Sequence, residues 1–124
     1  MKLGAFSISL NVKDLKASRT FYEKLGFVVM GGDADQGWQM LASGDTILGL
    51  YQGHIPANTL TFNPGWDQSA QPVDGDWDDI REIQDQLKAQ GLTLTLECPT
   101  DGTGPAHIAL EDPDGNAILI DQHR

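Results

Sequence analysis

The sequence predicts an α+β chain made of two tandem βαβββ modules, and three observations carry that prediction. A strand with period-two alternation is followed at once by an amphipathic helix. The segment SISLN at Ser7 to Asn11 returns, matched in residue class at every position, as TLTFN at Thr59 to Asn63. The order of elements after each copy is the same. At 124 residues a large multidomain enzyme is excluded. A module of four short strands and one helix buries too little surface alone, so the two are expected to share a sheet or core. The expected organisation is one domain over 1–124, with module one at about 1–53 and module two at about 57–124.

The first strand, Ala5 to Val12, alternates Phe6, Ile8, Leu10 and Val12 with Ser7, Ser9 and Asn11, so one face is apolar and the other small and polar. Asp14 is placed to cap a helix over LKASRTFYEKL, whose Leu15, Ser18, Phe21, Tyr22 and Leu25 form one stripe, and Gly26 stops it. Strands are expected near Phe27 to Met30, Trp38 to Ala42 and Thr46 to Tyr51, separated by GGDADQG and by the turn Ser43-Gly44-Asp45. In the second module, TLTFN leads through the loop PGWDQSAQPVDGD to a helix from about Trp77 to Gln90. Its Trp77, Ile80, Ile83 and Leu87 stripe ends at Gly91. Strands near Leu92 to Glu97, Ala106 to Glu111 and Ala117 to Gln122 complete it, the last two joined by DPDGN.

Composition narrows function. Hydrophobic residues make up 40% and charged residues 21%, an ordinary globular balance. Eighteen acidic against eight basic side chains give a net charge of −10, a field that repels nucleic acid and favours a cationic guest. Cys98 is the single cysteine, which excludes an intrachain disulfide and a cysteine-cluster metal site. The opening MKLGAFSISL has neither a basic leader region nor a long apolar run, so the chain is expected to be soluble and cytoplasmic, with no membrane partner.

The opening SISLNVKDLKASRTFYEKLGF, the closing IALEDPDGNAILID and the tandem modules together resemble the vicinal oxygen chelate superfamily, which includes glyoxalase I, extradiol dioxygenases and the fosfomycin and bleomycin resistance proteins. The resemblance spans nearly the whole chain. It implies an open, cup-shaped mixed sheet with the helices outside and a ligand or active site in the cup, often in a homodimer. It also implies a divalent metal held by His, Glu or Gln at four positions, which fall here on Ser7, Thr59, Leu119 and, by repeat, near Leu48. Two hydroxyls and two leucines cannot retain such an ion, and Ile47, Gly49, Ile118 and Ile120 beside them are no better. The expectation is therefore no metal and no cofactor.

Other candidates sit on the same strands. Folding the last two strands about DPDGN puts His107 opposite Asp121, on one face with Leu119; the pair offers an oriented imidazole base or, more plainly, a cross-strand hydrogen bond. Ser7, Ser9, Thr59 and Thr61 form a set of hydroxyls suited to a polar ligand or to one another. Trp38 and Tyr51 would wall the cup or fill core. Trp66, in a Pro/Gly loop, is expected to pin that loop, and His54 and His123 are expected to be solvated. The reading is a metal-free protein that binds a small organic, cationic ligand. The alternative is a lyase, isomerase or dioxygenase with a site rebuilt from His107, Asp121 and Glu97.

Overall fold

The alternating start of the chain becomes β1 (Ala5–Asn11), and α1 (Leu15–Lys24) follows with the Asp14 carboxylate accepting a 3.1 Å hydrogen bond from the Ala17 amide. Then come β2 (Val28–Asp33), β3 (Trp38–Ser43), β4 (Thr46–Tyr51), β5 (Thr59–Asn63), α2 (Ile80–Ala89), β6 (Ala106–Glu111) and β7 (Ala117–Gln122). This computed structural model describes residues 1–124: a mixed α+β chain with a seven-strand open sheet and two helices. Both helices stop in the same way. Gly26 and Gly91, at φ of 98° and 87°, take the left-handed conformation that a Cβ disfavours, and Phe27 and Leu92 donate back to the carbonyls of Tyr22 and Leu87. Gly26 follows Asp14 by the same twelve residues that separate Gly91 from Asp79, the α2 cap, so the helical part of the repeat is exact in length.

By its internal contacts the chain divides into two units, residues 7–59 and residues 1–6 with 60–124. In the 7–59 unit the strand order is β2-β3-β4-β1, with β1 parallel to β4 and the other pairs antiparallel. Leu41 and Leu50 point to α1 and bury with Leu15, flanked by Leu10, Val12, Tyr22 and Phe27. The segment GGDADQG, expected as a loop, instead extends β2 to Asp33 and forms a 3-10 turn at Ala34–Gln36 in which the Asp33 carboxylate accepts from the Asp35 amide.

In the other unit the order is β5-β7-β6, and Ile108, Leu110 and Ile120 pack on Ile80, Ile83 and Cys98. The strand expected near Leu92 to Glu97 does not form. Only a bridge joins Leu96 to Ala109, because the Gln84 carboxamide takes over the next pairing: it accepts from the Cys98 amide at 2.8 Å and donates to the Cys98 carbonyl at 3.0 Å, and Pro99 follows. The helix also starts later than Trp77. Asp79 caps it, accepting from the Arg81 amide at 2.9 Å, while Trp77 stays outside with the Arg124 guanidinium 4.5 Å above its ring.

Candidate functional site

In the 7–59 unit, strand alternation turns Leu41, Leu48 and Leu50 toward α1 and leaves Trp38, Met40, Gly49, Tyr51 and Ser9 on the opposite face. Leu48 is thus on the helix side, and the residue paired with Ser9 is Gly49. A side chain at Gly49 would begin 2.6 Å from the Tyr51 ring and 3.1 Å from the Met40 sulfur, so glycine is what lets that ring lie flat on the strands. There the Tyr51 hydroxyl reaches Met40 Sδ at 3.6 Å, and the ring stacks with Trp38, centroids 6.4 Å apart and planes within 10°. Ser7 and Ser9 are buried. The Thr59 hydroxyl turns back on its own loop, donating to the Ala57 carbonyl at 3.0 Å.

In the unit of residues 60–124, the face away from α2 carries Leu119 opposite Ala109 and Asp121 opposite His107, in the register expected from the DPDGN turn. The side chains do not follow that register. His107 is exposed, and the Asp121 carboxylate meets His123 instead, Oδ2 to Nε2 at 3.3 Å. The His123 ring stacks on Trp66, 4.6 Å between centroids and 15° between planes. The bond to Asp121 raises the His123 pKa above its ordinary value, against the smaller opposing effect of burial. Thr61 is buried, and Asn63 donates from Nδ2 to the Asp121 carbonyl at 2.8 Å.

So Trp66 stacks within its loop region as expected, and His123, exposed as expected, also has partners in Trp66 and Asp121. Extending the Leu119, Asp121 alternation by two residues would have found it. His54 is bonded to the Gln36 carbonyl at 2.7 Å, and Glu97 is held by Lys88 at 2.7 Å, so the set His107, Asp121 and Glu97 is not gathered into one site.

Compared with known proteins, residues 4–120 match the family model described as the Glyoxalase/Bleomycin resistance protein/Dioxygenase superfamily. The chain belongs to this superfamily. A bleomycin resistance protein of Klebsiella pneumoniae is 29% identical over 129 residues, spanning 93% of this chain and 89% of the relative. Two solved structures share the fold. An NAD-dependent benzaldehyde dehydrogenase from Legionella pneumophila is 18% identical at a TM-score of 0.68, covering 96% of this chain and 99% of that one. A glyoxalase/bleomycin resistance protein/dioxygenase superfamily member from Vibrio splendidus 12B01 is 17% identical at a TM-score of 0.63, covering 94% and 97%.

Resemblance to this superfamily implied a divalent ion, and the residues present do not suit one. In the 7–59 unit the implied ligand positions hold Ser7, Thr59 and, on the α1 side, Leu48, whose neighbour Gly49 lies under the Tyr51 ring; in the other unit the position is Leu119, half-buried opposite Ala109. Serine and threonine hydroxyls, leucine and glycine lack the imidazole, carboxylate or thiolate that divalent ions need. No group of three or more His, Cys, Asp or Glu side chains comes together that could hold a metal.

Proposed function

We propose that this superfamily member is a metal-free, small-molecule-binding protein of the glyoxalase/bleomycin resistance type, with residues 1–124 acting as one binding domain. The observation that carries the reading is the Tyr51 ring lying over Gly49 and stacked with Trp38, while the metal-ligand positions implied by the resemblance hold Ser7, Thr59, Leu119 and, by repeat, Leu48. That shelf joins two aromatic rings and the Met40 thioether near the buried Ser7 and Ser9, which suits a flat organic ligand held by stacking and a few hydrogen bonds. Ligand contacts are proposed for Ser7, Ser9, Trp38, Tyr51 and Thr59 in one unit and for Thr61, His107, Leu119 and Asp121 in the other. A cationic ligand is favoured by the charge of −10.

The free, buried thiol of Cys98 accords with a reducing, cytoplasmic setting, and no helix is long and apolar enough to cross a membrane. Self-association as a homodimer is supported by the uncovered apolar side chains of Phe21, Leu25, Val28, Val29 and Met30 beside the edge strand β2.

The test joins two measurements on the purified protein. Element analysis is expected to find no stoichiometric Zn, Mn, Fe or Ni. Calorimetric titration with bleomycin, the compound named for the Klebsiella relative, is expected to give saturable binding that W38A weakens about tenfold, as the loss of a stacked indole predicts. A tightly held metal, or bleomycin binding indifferent to Trp38, would overturn the reading.

A further inference from the structure

The strand-to-helix connection of the second repeat is longer than that of the first: Ser7 precedes the cap Asp14 by seven residues, whereas Thr59 precedes Asp79 by twenty. The added chain is a built structure. Asp67 accepts the amides of Ser69 and Gln71 on its carboxylate, the Val73 amide donates to the Gly65 carbonyl at 2.9 Å, and Trp66 bridges to Pro72. Arg124 clamps both arms, donating to the carbonyls of Gly65 and Val73 at 3.1 and 3.2 Å. Between this loop and the N-terminal segment lies a cavity of about 230 Å³, walled by Trp66, Val73 and Trp77 and rimmed by Asp74, Asp76 and Lys2.

We propose that this cavity is a second ligand site, separate from the Trp38 shelf, that takes a small organic cation: one aromatic ring or a methylated ammonium group. Size sets the first limit, since sites for drug-sized molecules run roughly 300 to 1,000 Å³ and this one is smaller. Chemistry sets the second. Both wall indoles have one face covered by a group of this same chain, Arg124 over Trp77 and His123 on Trp66, which fixes the rings in place, and a guest would meet the parts of Trp66 and Trp77 that line the cavity. Two exposed carboxylates against one ammonium leave the rim net negative, so an anion is disfavoured. Because the loop is held by its own hydrogen bonds and by Arg124, little ordering is needed on binding.

The experiment follows the three tryptophan indole N–H signals by NMR during titration with benzyltrimethylammonium, with benzyl alcohol as the neutral counterpart. The Trp66 and Trp77 signals are expected to shift together and saturably, and Trp38 to stay still. D74N/D76N, a double change at exposed positions that spares the Asp79 cap, is expected to weaken binding about five- to tenfold. Equal binding of benzyl alcohol, an unaffected double variant, movement of Trp38 alone, or no shift at all would each overturn the proposal. The Trp38 shelf has its own, separate test in bleomycin binding by W38A, so the failure of one proposal is distinguishable from the failure of the other.

Discussion

Gln122 is fully buried, and its carboxamide accepts from the Ile80 amide at 2.7 Å while donating toward Asp79, Gly104 and Arg124 at 2.9 to 3.0 Å. One side chain thereby satisfies the first amide of α2 and orients the carboxylate that caps it. Q122L keeps the volume but orphans these groups, and chemical denaturation is expected to show a loss of about 1–3 kcal/mol. Burial pushes the Asp79 pKa up, but hydrogen bonds from the Arg81 amide, Gln122 and the Arg81 guanidinium outweigh it and hold the carboxyl below its ordinary 3.8. The Asp79 contribution is therefore present above pH 3.8 and lost as pH falls through the lower folded value. D79N should remove that acid-side step from a stability profile.

His123 has the opposite sign. Its pKa is raised by Asp121, so the pair stabilises below pH 6.5 and fades as pH rises through the folded value. Because an imidazolium quenches a stacked indole, Trp66 emission is expected to rise over that range, and D121N to move the midpoint down.

At the level of elements, α2 is held by Ile83 as much as by its cap. Ile83 is completely buried among Ile80, Cys98, Ile108 and Ile120, and I83A should cost about 2–5 kcal/mol in a denaturant titration, the transfer loss plus the cavity. Gly91 acts on the same helix from its other end. With φ at 87°, G91A strains the stop without touching any packing, and a loss of about 1–2 kcal/mol is expected. The edge strand β2 differs from the others in exposing Val28, Val29 and Met30, next to a register shift between Val29 and Gly31. If that edge joins two copies, lysine on it should disperse them. Sedimentation of V28K is expected to give a monomer where the parent gives a dimer.

For the whole molecule, a metal-free reading predicts that EDTA leaves the melting temperature unchanged, since no bound ion contributes to the folding free energy. A drop on chelation would show an ion held by residues other than Ser7, Leu48, Thr59 and Leu119. Both cores are made by one pattern: an Asp-capped, glycine-stopped helix laid on alternating strands, repeated in two units of 7–59 and 1–6 with 60–124. The copies differ after the helix, where the second has only the Leu96 bridge in place of β2, and in the connection before α2, which carries the Trp66 and Trp77 cavity.

The amino-acid sequence alone determined the elements whose signals are local. Alternation located β1 and the final hairpin, DPDGN set His107 opposite Asp121, and Asp14, Gly26 and Gly91 marked helix ends, because caps and turns are decided by residues a few positions apart. Superfamily membership was equally legible. Tertiary structure decided the rest. A one-residue slip in strand register moves a side chain to the other face, so only the pairing of β1 with β4 shows that Gly49, and not Leu48, stands beside Ser9. The strand expected at Leu92 to Glu97 was lost to Gln84, a helix side chain far along the chain that pairs with the Cys98 backbone in its place. Asp121 likewise chose His123 over the residue facing it across the strands, because Trp66 arrives from a distant loop to hold that imidazole by stacking.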